Sequence, residues 1–143
     1  MSEEGNKALV RRFIDEIING GNYEAIGELC VAGSMFAGGI EGQMRAMKSV
    51  FPDNQMTIDE IAAEGDKVAV RVTGSATNSG PMIGLPALGR LEDPVPPTGK
   101  SVTYGGMYFF TVVDNKIVRY AAELDQIGFL RQLGWEFTPP GQV

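Results

Sequence analysis

The sequence predicts an α+β fold, three helices followed by four long antiparallel strands. Three observations carry it. Before Pro52 the apolar residues recur at three- and four-residue intervals; after it the period falls to two; and the alternating runs come in two pairs, each joined by a tight polar turn. That order suits helices covering one face of a curved sheet.

In "NKALVRRFIDEIING", Leu9, Phe13 and Ile17, with neighbouring Val10 and Ile14, form one apolar stripe that stops at Gly20-Gly21. Asn22 is placed to cap a second, short helix through "YEAIGELC", whose Tyr23, Ile26, Leu29 and Cys30 share a face. A glycine-rich connector, "AGSMFAGGIEG", leads to a third helical stretch, "QMRAMKSVF", closed by Pro52. Then "QMTIDEIAAEGDKVAVRVTGSAT" reads as a hairpin around Gly65-Asp66, with Val68, Val70 and Val72 alternating against Ala69, Arg71 and Thr73. "KSVTYGGMYFFTVVDNKIVRYAAEL" repeats the device with Asp114-Asn115 as its turn and Tyr104, Tyr108 and Phe110 on one face.

Between the hairpins, residues 78–99 hold five of the eight prolines and are too long for a simple connection. Met82, Ile83, Leu85 and Leu88 at its tip suit a lid over an apolar ligand, or equally a loop packed on its own domain or a neighbouring subunit. The tail from Trp135 to Val143 offers Trp135 and Phe137 as plugs for a cavity mouth, or frays.

Composition sets the outer limits. The 143 residues suit one domain spanning 1–143, able to hide about 70% of its unfolded surface and so to hold a core with a pocket. Twelve Lys plus Arg against eighteen Asp plus Glu, a net charge of −6, argue against nucleic acid as partner. One cysteine, Cys30, excludes an internal disulfide, and nothing at the N-terminus reads as a signal peptide, so a cytoplasmic setting is expected. No apolar run approaches the roughly 20 residues of a membrane-spanning helix. With no histidine, the usual zinc and copper ligand sets and any His-assisted nucleophile are missing, and no phosphate-binding glycine motif or EF-hand loop occurs. Neither metal nor organic cofactor is expected. Acid-base work falls to carboxylates and tyrosines.

"NKALVRRFIDEIINGGNYEAIGEL", "AEGDKVAVRVTGSAT", "PPTGKSVTYGGMYFFTVVDNKIV" and "LDQIGFLRQLG" stand in the order typical of SnoaL-like polyketide cyclases, members of the nuclear transport factor 2-like superfold, which the chain resembles over nearly its whole length. The resemblance implies a cone-shaped α+β barrel with a ligand cavity at one end. It also implies ring closure in a polyketide intermediate, with an aspartate as acid-base group and no cofactor, and a homodimer formed through the outer face of the sheet. The family's "W-D-Q-L-G" aspartate matches Asp125.

At a strand-to-helix boundary Asp125 is also a natural N-cap, and the two roles can coexist. If the last strand carries no bulge, Ile117, Arg119, Ala121, Glu123 and Asp125 share one side, which sets Glu123 beside Asp125 as a carboxylate dyad; a pairing of Glu123 with Arg71 or Arg119 is the plainer alternative. Tyr104, Tyr108 and Tyr120 are candidate donors to a developing enolate oxygen, the first two favoured by shared parity, although core packing is the default for each. The chain departs from its relatives where "GSMFAGGIEG" replaces a polar His/Asp stretch, and where Tyr120 and Ala121 stand for a common His and Trp. Phe13, Met35, Phe36, Met44, Met47, Arg71, Leu85, Tyr120 and Trp135 are the candidate lining of an apolar substrate site.

The expected function is a cyclase acting on an apolar polyketide-like small molecule. Asp125 either moves a proton, or only polarises a carbonyl while the cavity folds a reactive polyene. An epoxide hydrolase or cyclic-ether-forming enzyme using Glu123, Asp125 and Arg71, and a non-catalytic lipophile carrier, are the alternatives.

Overall fold

The computed structural model describes residues 2–31, 35–85 and 89–142, excluding the side chains of residues 35–38 and 85. Helix α1 (Glu3–Arg12) begins at Ser2, whose hydroxyl accepts the Gly5 amide N–H at 2.9 Å. Glu3 and Glu4 sit in its first turn and Arg11 and Arg12 in its last, each sign matching the helix dipole. The helix then widens into a π-helical stretch, Phe13–Asn19, which turns Phe13, Ile14, Ile17 and Ile18 into the core. Asn22 starts the next turn as expected, but its side chain makes no capping bond. The short helix α2 (Ile26–Leu29) follows, and Cys30 then runs beside Ile117.

Helix α3 (Met35–Val50) is longer than the sequence suggests, because eight of the eleven residues of the expected glycine-rich connector are helical. Glycine inside a helix costs about 1 kcal/mol relative to alanine. Burial of Ile40 and Val50, with Met44 and Met47 packed against the core, offsets it.

Four strands form the main sheet: β1 (Gln55–Glu64), β2 (Lys67–Thr77), β5 (Ser101–Val113) and β6 (Lys116–Leu124), in the order β1-β2-β5-β6 with every pair antiparallel. The sheet curves but does not close, which corrects the expected barrel. Val68, Val70, Val72, Tyr104, Tyr108 and Phe110 face inward against the helices. Asp114 and Asn115 take left-handed φ values of 49° and 60°, the type I′ geometry that the β5–β6 turn requires. Helix α4 (Gln126–Gln132) closes the fold.

Residues 78–99 carry structure of their own, a small antiparallel pair β3 (Met82–Leu85) and β4 (Gly89–Val95). Buried Asn78 clasps its base: the side-chain oxygen accepts from the Thr98 amide at 2.9 Å and the Thr98 hydroxyl at 3.0 Å, while the amide nitrogen donates to the Gly80 carbonyl at 2.9 Å. The Ser79 and Gly80 amides both bond the Val50 carbonyl at 3.1 Å, tying this hairpin to the end of α3.

One irregularity decides which side chains reach the interior. In the β5–β6 ladder Thr111 faces Arg119 and Val112 faces Ile117, so Val118 is an extra, bulged residue. Parity reverses there. Ile117 lies inward, and beyond the bulge Tyr120, Ala122 and Leu124 oppose the inward positions Phe110, Tyr108 and Gly106. Arg119, Ala121 and Glu123 oppose Thr111, Phe109 and Met107, the last two being 51% and 55% exposed on the outer face. Among the described residues no helix is long and apolar enough to cross a bilayer.

Candidate functional site

A cavity of about 100 Å³ lies between the inner face of the sheet and helices α3 and α4. Its helix-side wall is Ile18 of the π stretch with Met44 and Met47 of α3; Phe51, Asn54 and Met56 form the floor where α3 passes into β1. Tyr104, Tyr108 and Leu124 supply the sheet-side wall, and Asp125, Gln126 and Phe129 the rim at the start of α4. Ligand sites for drug-sized molecules span about 300–1,000 Å³. A larger guest must therefore displace side chains, and unbranched methionines yield most readily.

The wall is apolar apart from a few groups, each held in a definite way. Tyr104 can lie flat because its partner on β2 is Gly74, where any Cβ would overlap the Tyr104 ring. The tyrosine hydroxyl thereby reaches Asn54 and donates to its side-chain oxygen at 2.6 Å, with both residues buried. Asn54 is itself pinned, since Lys48 Nζ donates to its backbone carbonyl at 3.0 Å and to that of Asn19 at 3.3 Å. Asn19 in turn exchanges bonds of 2.7 and 2.8 Å with the backbone of Met56.

Tyr108 is 7% exposed, stacks on Phe110 at 5.7 Å and meets Tyr120 at 5.5 Å. Its hydroxyl makes no hydrogen bond among the described residues. Burial raises the pKa of Tyr104, Tyr108 and Tyr120 above the ordinary tyrosine value, so all three stay protonated donors at neutral pH.

Asp125 lines the rim but is exposed, and its Oδ1 accepts the Gly128 amide at 2.9 Å as the N-cap of α4. Its carboxylate, taken from the resemblance as the acid-base group, thus stands exposed at the rim rather than inside the hollow. Glu123 is on the outer face, so no Glu123–Asp125 dyad forms; the Val118 bulge reverses the parity on which it depended. Arg71 also faces outward, 3.8 Å from Glu60, and enters neither the cavity nor a pair with Glu123.

Of the remaining candidates, Met47 lines the cavity. Phe13 is fully buried core, edge-on to Phe110 at 5.6 Å, and Tyr120 backs the wall through Tyr108 rather than joining it. Trp135 packs on the core and Phe137 lies under Arg131, neither lining the cavity, as the chain after α4 runs back along that helix. The side chains of Met35, Phe36 and Leu85, and the whole of Leu88, lie outside what the structure describes, and no described residue of 78–99 lines the cavity. Among the described residues no cluster of Cys, Asp or Glu side chains is arranged to hold a metal ion. Sequence reasoning missed Asn54, since a lone asparagine after Pro52-Asp53 reads as turn chemistry.

Solved structures share this architecture. TsrD from Streptomyces laurentii superimposes with a TM-score of 0.78 at 22% identity, over 94% of this chain and 98% of its own. AclR from Streptomyces galilaeus, a hydroxylase candidate, gives 0.77 at 24% over 97% and 87%. IdmH from Streptomyces antibioticus, a polyketide cyclase candidate, gives 0.74 at 23% over 91% and 99%. No curated protein matches the chain. The family model for SnoaL-like polyketide cyclases matches residues 8–133, and with this fold around an apolar cavity the chain belongs to that family.

Proposed function

We propose that the protein is a cofactor-independent cyclase that closes a ring in an apolar polyketide intermediate, chiefly by folding it. The observation that carries this reading is the apolar cavity with Tyr108, a buried residue whose hydroxyl has no hydrogen bond among the described residues, in its wall. A flexible polyene confined there loses the conformations that cannot react, and pre-paid orientation of this kind is worth up to about 7–11 kcal/mol in the best intramolecular systems. The Tyr108 hydroxyl, kept protonated by burial, donates to a carbonyl oxygen as charge gathers on it. Asp125 caps α4 and presents a carboxylate at the rim.

The test is a neutral linear polyenone carrying a conjugated diene, followed by chromatography and mass spectrometry. A product of unchanged mass that has lost its diene absorbance marks cycloaddition, whereas aldol closure, tested with a probe carrying a second carbonyl, keeps the diene whether or not water is then lost. Binding without conversion would replace the cyclase reading with that of a lipophile carrier. Asp125→Asn keeps the cap, since Asn and Asp cap equally well, whereas Asp125→Ala loses about 1 kcal/mol of stability. Turnover retained in Asp125→Asn supports folding, and a loss of 10²-fold or more would make Asp125 the proton carrier. The epoxide-opening alternative has less support, because Glu123 and Arg71 stand across the sheet from the cavity.

We also propose that a second copy of this chain covers the outer face of the sheet, where Met107 and Phe109 are exposed. Light scattering that gives the monomer mass would remove that proposal.

A further inference from the structure

We infer that Asn54 is a specificity-determining residue, and that its side-chain N–H₂ donates to a carbonyl oxygen of a neutral ligand. Asn54 lines the cavity at 3% exposure. Its other polar groups are already engaged: the side-chain oxygen accepts from Tyr104 at 2.6 Å, the backbone carbonyl accepts from Lys48 at 3.0 Å, and the backbone amide donates to the Phe51 carbonyl at 3.1 Å. With the oxygen committed to Tyr104, the amide can turn only one way, and the nitrogen is left without a protein partner among the described residues. A donor in that state, on a residue only 3% exposed in an apolar wall, gains from an acceptor supplied by a ligand.

Tyr104 spends its proton on Asn54, so it is a positioning residue, acting through the amide it orients. The ligand's charge follows from the same wall. Among the described residues no Lys or Arg lines the cavity, and the one charged group is the Asp125 carboxylate at the rim. An anion entering would lose its water with no cation to replace it. The class selected is therefore a neutral, apolar molecule that leads with a ketone or enone oxygen.

This deepens the cyclase reading and rests on it for what happens after binding, but the binding itself can be measured alone. Three soluble probes suffice: cyclohexanone, methylenecyclohexane as its hydrocarbon shape-mimic, and cyclohexanecarboxylate, each titrated into the full chain at pH 7 and followed by amide NMR. The expected result is cyclohexanone binding roughly tenfold tighter than the hydrocarbon, a shift of the Asn54 side-chain N–H₂ signals, and no carboxylate binding. Asn54→Leu alone strands the Tyr104 hydroxyl, so the decisive variant is Asn54→Leu with Tyr104→Phe, which removes both members of the pair and keeps the volume. A fold check by its melting transition accompanies it, and the ketone preference should vanish while hydrocarbon binding persists.

Tyr104→Phe alone should reduce the preference only in part, because Asn54 remains but is no longer held. Equal binding of ketone and hydrocarbon to the natural protein, a preference that survives the double change, or carboxylate binding as tight as the ketone would overturn the inference. Ketone selectivity without ring closure of a polyenone would instead overturn the cyclase reading and leave Asn54's role standing.

Discussion

The two walls of the cavity are built on opposite plans. On the sheet side each side chain is set by strand register, and two of the three by a glycine opposite: Tyr104 lies over Gly74, and Leu124 over Gly106, where a Cβ would overlap its side chain, while Tyr108 opposes Val70 and Ala122. On the helix side, Met44 and Met47 project from α3, whose Gly39 and Gly42 would meet no atom within 4 Å if they carried a Cβ. Those glycines therefore serve no close approach and leave the helix weaker than alanine would. The sheet wall holds its hydrogen-bonding groups in place, while the helix wall has adaptable side chains on a less stable element. Selectivity is thus expected from the first and capacity from the second.

The largest disturbance of that contrast is deletion of Val118. Removing the extra residue restores simple alternation and drives either Ile117, fully buried, or the Tyr120–Leu124 set out of the interior. The expected cost is on the order of 3 kcal/mol, read as a fall in the urea midpoint. A deletion that costs nothing would mean that the sheet wall tolerates either parity.

Next in size is Gly74→Ala, whose methyl group collides with the Tyr104 ring. Overpacking of this kind costs about 1–3 kcal/mol, and the displaced ring should release Asn54, visible as a change in its side-chain N–H₂ signals. If neither the midpoint nor those signals moved, the sheet side would be no firmer than the helix side.

The smallest effect runs the other way. Gly39→Ala with Gly42→Ala should stabilise the protein by about 1–2 kcal/mol in total, as both positions are helical, exposed and free of clashes. Amide hydrogen exchange through the second half of α3 should slow with it. Unchanged exchange would place the adaptability of that wall in the methionine side chains alone.

Much of the fold was legible because it follows from short-range rules. The stripe Leu9–Phe13–Ile17, the alternation Val68–Val70–Val72 and the Asp114-Asn115 turn each declare a local structure that tertiary packing had no cause to override. Tyr104 and Tyr108 could be paired on one face by parity alone. The same rule failed on β6, since a bulge leaves no reliable mark in sequence and a single extra residue exchanges the two faces. Glu123 and Arg71 were drawn toward the site on a count of two that the strands do not keep throughout. The β3–β4 hairpin was hidden by its prolines, and the first half of α3 by its glycines, both of which lower local propensity without forbidding the structure that long-range contacts impose.

The sequence by itself determined the class of the protein: an acidic, histidine-free α+β chain whose chemistry must rest on carboxylates, phenols and apolar surface. Only the tertiary structure decided which of those groups meet. Asn54, Lys48 and Tyr104 lie in three separate segments, and one bond of 2.6 Å between side chains 50 positions apart is invisible to any local pattern. The physical reason is that periodicity reports which face a side chain occupies, whereas a binding site depends on which faces are brought together and on which hydrogen bonds are left unmade when they are.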